Sequence, residues 1–87
     1  MTVTQAIIFS KEFYDTARAR RWLSRHHYVP IKRAHETTRY LRYRIREVDE
    51  TRYEYRIKPF AEGIKAIIGI PIFQMFYFVL LPYQLYD

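Results

Sequence analysis

Between Arg39 and Lys58 the chain alternates arginine with aromatic and aliphatic residues twice. The first run is Arg39-Tyr40-Leu41-Arg42-Tyr43-Arg44-Ile45-Arg46, and the second is Arg52-Tyr53-Glu54-Tyr55-Arg56-Ile57-Lys58. Residues two apart on a strand share a face. The first run therefore presents Leu41, Tyr43 and Ile45 on one side and Arg42, Arg44 and Arg46 on the other. The second presents Tyr53, Tyr55 and Ile57 against Arg52, Glu54, Arg56 and Lys58. The pattern predicts an antiparallel pair with one apolar and one basic face. On this reading Tyr43, Tyr53 and Tyr55 belong to the core side. Tyr40 is then the only aromatic on the basic face of the two segments.

The rest of the chain supplies the partners such a pair needs. Residues 3–9 are short and β-branched and read as a strand. Asp15 is placed to cap a helix running to about residue 26. On that helix Ala19, Trp22, Leu23 and His26 fall on one side, and Arg18, Arg21 and Arg25 form a basic stripe on another. Phe13 and Tyr14 precede the cap and are expected to pack on the first turn, like a staple. Pro30 stops the helix and leaves residues 28–29 extended. A short strand over 32–36 is followed by the strand over 39–46, an acidic turn at 47–51 and a return strand over 52–58. Pro59 excludes a central ladder position. Glu62-Gly63 signals a turn, and 64–70 reads as a buried strand ended by Pro71. The order predicts an α+β fold: a small antiparallel sheet with one helix packed on a face, β-α-β-β-β, over residues 1–70. The expected core is Ile8, Trp22, Leu23, Leu41, Tyr43, Ile45, Tyr55, Ile57 and Ile67.

Charge changes the picture at the C-terminus. All 15 basic residues lie at or before Lys65, and no charged residue occurs from Ala66 to Tyr86. Residues 71–87 form an apolar C-terminal extension carrying Phe73, Phe76, Tyr77, Phe78, Leu80 and Leu81. Three readings are open for it: docking on another protein, completion of the domain's own core, or a membrane anchor. Only residues 72–81 lie free between Pro71 and Pro82, about 15 Å of helix. That length spans a bilayer only if the prolines are tolerated inside the helix. The net charge is +6, with arginine well ahead of lysine. Arginine's planar fork suits carboxylate and phosphate partners. Cysteine is absent, which excludes disulfide frameworks and thiolate zinc sites.

Four segments taken in order carry a resemblance. They are Ala-Ile-Ile-Phe-Ser-Lys (6–11), Ala-Arg-Arg-Trp-Leu-Ser-Arg-His (19–26), Arg-Tyr-Leu-Arg-Tyr-Arg-Ile (39–45), and Arg56-Ile57-Lys58 with Glu62-Gly63-Ile64-Lys65-Ala66-Ile67-Ile68-Gly69. This order resembles a small domain that recurs in tailed-phage head-module proteins and in proteins of large eukaryotic DNA viruses. In phages it often precedes a prohead-protease-like region. The match covers about residues 6–70, most of the chain. The chain departs from the pattern at His27, where the family tends to have a glycine suited to a left-handed helix cap. It departs again in its apolar tail. The resemblance implies a virion or virion-assembly setting and supplies no catalytic residue.

Chemistry is sparse. Ser10 and Ser24 are the only serines, and neither sits in a glycine-flanked elbow. Glu47, Asp49 and Glu50 fall in an expected exposed turn, suited to pairing with Arg46 and Arg52. His26 and His27 point about 100° apart on a helix and cannot easily share an ion. His26 instead suits a helix end, bonding the last carbonyls. No enzymatic activity, cofactor, metal or small-molecule substrate is therefore expected. The leading expectation is a non-enzymatic viral structural protein, a minor capsid component located in the virion and made in the host cytoplasm. It would bind other capsid proteins through Arg42, Arg44, Arg46, Arg52, Arg56 and Lys58 and through the apolar tail. The alternatives are non-specific nucleic-acid binding through the same basic residues, and a small membrane-anchored viral protein, in which the tail would contact an internal viral membrane.

Overall fold

The computed structural model describes residues 1–72. The elements are β1 (Val3–Ser10), α1 (Thr16–Arg25), β2 (His35–Glu36), β3 (Tyr40–Arg44), β4 (Tyr53–Ala61) and β5 (Ile64–Pro71). The strands form one sheet in the order β2-β3-β1-β5-β4, with every neighbouring pair antiparallel. The fold is thus the expected α+β class. β1 takes the centre because it is apolar on both sides: Ile7 and Phe9 face one way, Ala6 and Ile8 the other.

α1 begins where its sequence specifies. The Asp15 carboxylate accepts from the Arg18 backbone N–H at 2.8 Å, satisfying one of the free donors of the first turn. The helix ends in a Schellman arrangement. The Tyr28 N–H donates to the Leu23 carbonyl at 2.9 Å and the His27 N–H to that of Ser24 at 3.1 Å. His27 occupies the left-handed position with φ +63°. The site thus keeps the conformation that suits glycine while carrying histidine. Tyr28, just past it, lies parallel to Trp22 at 6.1 Å, which supplies the apolar contact of the motif. His26 also stacks on Trp22, at 3.8 Å, and its Nδ1 lies 2.8 Å from the Trp22 carbonyl.

Ala19, Trp22 and Leu23 of α1 are buried against Ile7 and Phe9 of β1, Leu41 and Tyr43 of β3, and Ile64 of β5. Phe9 is fully buried and meets Tyr14, Trp22 and Tyr43 edge-on at 5.1, 5.6 and 5.7 Å. Such pairs add about 0.5–1.5 kcal/mol each beyond burial. Gln5 closes the end of β3. Its backbone carbonyl accepts from Ile45 and Arg46, and its side-chain amide donates to the Arg46 carbonyl at 2.9 Å.

Two expectations are corrected. The arginine–aromatic runs do not pair with each other, because β1 and β5 lie between β3 and β4. The Glu62-Gly63 turn, with Gly63 at φ +75°, folds β4 directly onto β5 instead. Second, the apolar side of the β4 run faces away from the helix. Tyr55 pairs with Gly69 and Ile57 with Ile67, while Lys58 pairs with the buried Ala66 on the helix side. Ile8, Tyr55, Ile57 and Ile67 therefore leave the expected core, Ile45 only packs at its margin, and Ile7, Phe9 and Ile64 enter it. β4 is a long edge, and Lys58, Pro59 and a register shift between Pro59 and Ala61 lie on it. These features disfavour the addition of another strand. Among the described residues no helix is long and apolar enough to cross a membrane. Phe73, Phe76, Tyr77, Phe78, Leu80 and Leu81 lie outside the described residues.

Candidate interaction face

α1 covers one side of the sheet, and among the described residues no element covers the other, open side. Its composition follows from register. β3 contributes Tyr40, Arg42 and Arg44, opposite Ser10, Ile8 and Ala6 of β1. β5 contributes Lys65, Ile67 and Gly69, and β4 contributes Tyr53, Tyr55 and Ile57.

Arg42 and Arg44 are partly buried, and their Nε atoms are enclosed without a hydrogen-bond partner among the described residues. Long arginine stems readily cover apolar surface while the charged ends stay in water. Here that surface is the Ala6 and Ile8 side of β1. Lys65 Nζ stands 5.4 Å from the centre of the Tyr40 ring, within cation–π range. Tyr53 and Tyr55 pack over Gly69, where a Cβ would come within 3.0 Å of Tyr55 Cε1. Any larger residue there would displace the rings.

The β3–β4 connection folds back toward this face. The Asp49 N–H donates to Tyr55 Oη at 2.7 Å. The Thr51 hydroxyl donates to the Asp49 carboxylate and holds its pKa below the ordinary value; the Thr51 N–H and the charge of Arg52 act in the same direction. The result is a shallow concavity of about 290 Å³ lined by Arg42, Val48, Glu50, Tyr55, Ile57 and Ile67, together with Gln5 and Arg56.

The expected basic face is divided. Arg42 and Arg44 lie on the open face. Arg46 and Arg52 are exposed in the β3–β4 connection. Arg56 and Lys58 alternate to the helix side, where Arg56 pairs with Glu54 at 3.0 Å. Arg18, Arg21 and Arg25 are exposed on α1, away from the open face. The ion pairs among the described residues are Lys11–Glu36, Lys32–Glu47 and Arg56–Glu54. Arg42, Arg44, Arg46 and Arg52 take part in none of them.

The tyrosine expectation is also corrected, since Tyr53 and Tyr55 join Tyr40 on the side of Arg42 and Arg44. Lys65, Val48 and Ile67 belong to the same surface and were not anticipated as site residues. Lys65 was the legible signal. A lysine between the apolar Ile64 and Ala66 must point away from the core, so Ile67 and its partner Ile57 must do so too. Comparison with family models, with curated proteins and with solved structures found no match.

Proposed function

We propose that this chain is a non-enzymatic structural component of a virus particle, a minor capsid protein that fastens to neighbouring coat proteins. One observation carries the reading. The uncovered sheet face holds Arg42 and Arg44 in fixed register, with no carboxylate of the described chain paired to either. Guanidinium forks held this way suit the carboxylates of another subunit and give directional contacts. Ile57 and Val48, 64% and 50% exposed, add apolar area beside them. The setting comes from the resemblance of segments 6–11, 19–26, 39–45 and 56–69 to the virion-associated domain. The apolar segment 71–87 is proposed as a second anchor, since buried apolar groups carry more affinity than rim charges.

Carbodiimide treatment of purified particles tests this, because it couples lysine only to a carboxylate in contact. Lys65 should become joined to Asp or Glu of another coat protein. Coupling at other lysines but not at Lys65 would count against the open face. Deleting residues 71–87 should lower incorporation into particles. Unchanged incorporation would sink the tail's role.

A second reading is favoured by the tyrosines. Tyr40, Tyr53 and Tyr55 share a face with Arg42, Arg44 and Lys65, the combination that binds single-stranded nucleic acid by stacking and charge. Fluorescence anisotropy with a labelled oligonucleotide over a salt series separates the two readings. A steep fall of log affinity with log salt supports nucleic acid, and no binding at about 50 mM salt removes it.

A further inference from the structure

The other side of the molecule holds a cleft that neither reading uses. It runs between α1 and residues 28–34 and has a volume of about 970 Å³. Leu23, Leu41 and Tyr43 form its floor, Ile31 a wall, and Arg20 and Arg33 its charged rim. The wall is fastened in place. The Ile31 N–H donates to the Arg44 carbonyl at 2.9 Å, and the Schellman bonds fix the chain at Tyr28.

The charges around the cleft do not cancel. Lys32 is paired with Glu47 at 3.4 Å, and Glu36 is paired with Lys11. Arg20 and Arg33 have no carboxylate partner among the described residues. Beneath the rim, Tyr43 Oη is buried without a hydrogen-bond partner among the described residues. Two cationic forks thus stand over an apolar floor, and Val29 and Ile31, 78% and 47% exposed, extend the apolar surface at the mouth.

We propose that this cleft docks an acidic peptide segment of another protein, with one apolar side chain on the Leu23–Leu41 floor and carboxylates on Arg20 and Arg33. Charge complementarity selects the occupant. Arginine pairs bidentately with carboxylate, and the apolar floor rewards an aliphatic or aromatic anchor. A nucleic-acid strand fits less well. Of the two aromatic residues that line it, Tyr43 is only 3% exposed and offers no ring for stacking, and Tyr28 is half-buried beside Trp22, which leaves no platform of several free rings. The cleft lies on the helix side, opposite Arg42 and Arg44, so it stands or falls separately from the open face.

The test is selection of the full-length chain against a displayed library of random peptides of about twelve residues, the span of a typical groove ligand. Selected peptides should carry an acidic excess beside an apolar residue. Their affinity should fall about tenfold or more in the Arg20→Ser/Arg33→Ser variant, and stay near the original value in Arg42→Ser/Arg44→Ser. Amide resonances of residues 20–24 and 28–34 should shift on titration with a selected peptide. Circular dichroism of both variants checks that the fold persists, as expected where Arg20 and Arg33 are exposed and Arg42 and Arg44 only half-buried. The proposal is overturned if the selected peptides show no acidic excess, or if binding ignores Arg20 and Arg33. It is overturned equally if no peptide is enriched, or if a single-stranded oligonucleotide displaces the peptides from these arginines.

Discussion

Ile57→Ala measured beside Leu41→Ala tests the assignment of the two sheet faces. The sequence pattern puts both residues in one core. The fold separates them: Leu41 is 2% exposed beneath α1, whereas Ile57 is 64% exposed on the open face. Truncating a buried leucine to alanine costs about 2–5 kcal/mol, because transfer and cavity terms add. Ile57 has only about a third of its surface to lose, and full burial of isoleucine is worth about 1.5–3 kcal/mol. Its truncation should therefore cost about 0.5–1 kcal/mol. Urea unfolding followed by tryptophan fluorescence reads the difference, since Trp22 sits in the core. With an m-value of about 1 kcal/mol/M for a domain this small, Leu41→Ala should lower the midpoint by about 2 M or more. Ile57→Ala should lower it by about 1 M or less on the same scale. Equal shifts at unchanged m would refute the face assignment and restore Ile57 to the core.

Three further changes probe local structure. His27→Gly should raise stability by about 0.5–1 kcal/mol, because glycine relieves the left-handed strain at φ +63° and loses part of that gain to chain entropy; a lower thermal midpoint would contradict it. Asp15→Ala should cost about 1 kcal/mol by freeing the Arg18 N–H, read as a shift in thermal midpoint, whereas Asp15→Asn should retain most of the cap. Burial raises the pKa of the Tyr43 phenol, partly offset by the field of Arg20, so the folded chain keeps that proton after the unfolded chain has released it. The resulting stability is complete below about pH 10 and declines as pH rises through the folded-state value. Tyr43→Phe should flatten that alkaline decline in thermal midpoints, and identical slopes in the two proteins would count against the effect. The same substitution removes a buried hydroxyl that has no partner among the described residues, so it should not destabilise the chain at neutral pH.

What was legible in the sequence follows from where one residue decides. Asp15, Pro30, Gly63 and the 3.6-residue spacing of Ala19, Trp22 and Leu23 each fix local structure alone, and the helix and its caps lie where they indicate. The alternation in β3 correctly divides Leu41 and Tyr43 from Arg42 and Arg44. Pairing between strands is a non-local property, and there the periodicity misled. Two runs of the same pattern need not be partners, and the tight turn at Gly63 pairs β4 with β5 instead. β1 was ambiguous because Ile7 and Ile8 are adjacent and both apolar, so hydropathy alone could not say which faces the helix. β4 was ambiguous for another reason. On this edge strand Phe60 meets Trp22 of α1 edge-on at 5.6 Å, yet no residue of the strand is fully buried, so its apolar alternation does not report a core. The candidate site inherits that ambiguity: Arg42 and Arg44 share a face as their alternation indicates, whereas Arg56 and Lys58 alternate away from Tyr55 and Ile57, and Lys65, Tyr53 and Tyr55 join Arg42 and Arg44 through register alone.

The proposal that the open sheet face holds this chain in a virus particle meets its most direct test in a competition for incorporation. Wild-type chain and an Arg42→Ser/Arg44→Ser variant, supplied together in infected cells, are counted in purified particles by mass spectrometry of their distinguishing peptides. Both arginines are partly exposed and unpaired among the described residues, so the variant should fold with a thermal midpoint close to that of the wild type. Its share in the particles should fall about tenfold or more, the loss expected when directional charge pairs at an interface are removed. Equal shares of the two chains would contradict the proposal and leave the open face without the role assigned to it.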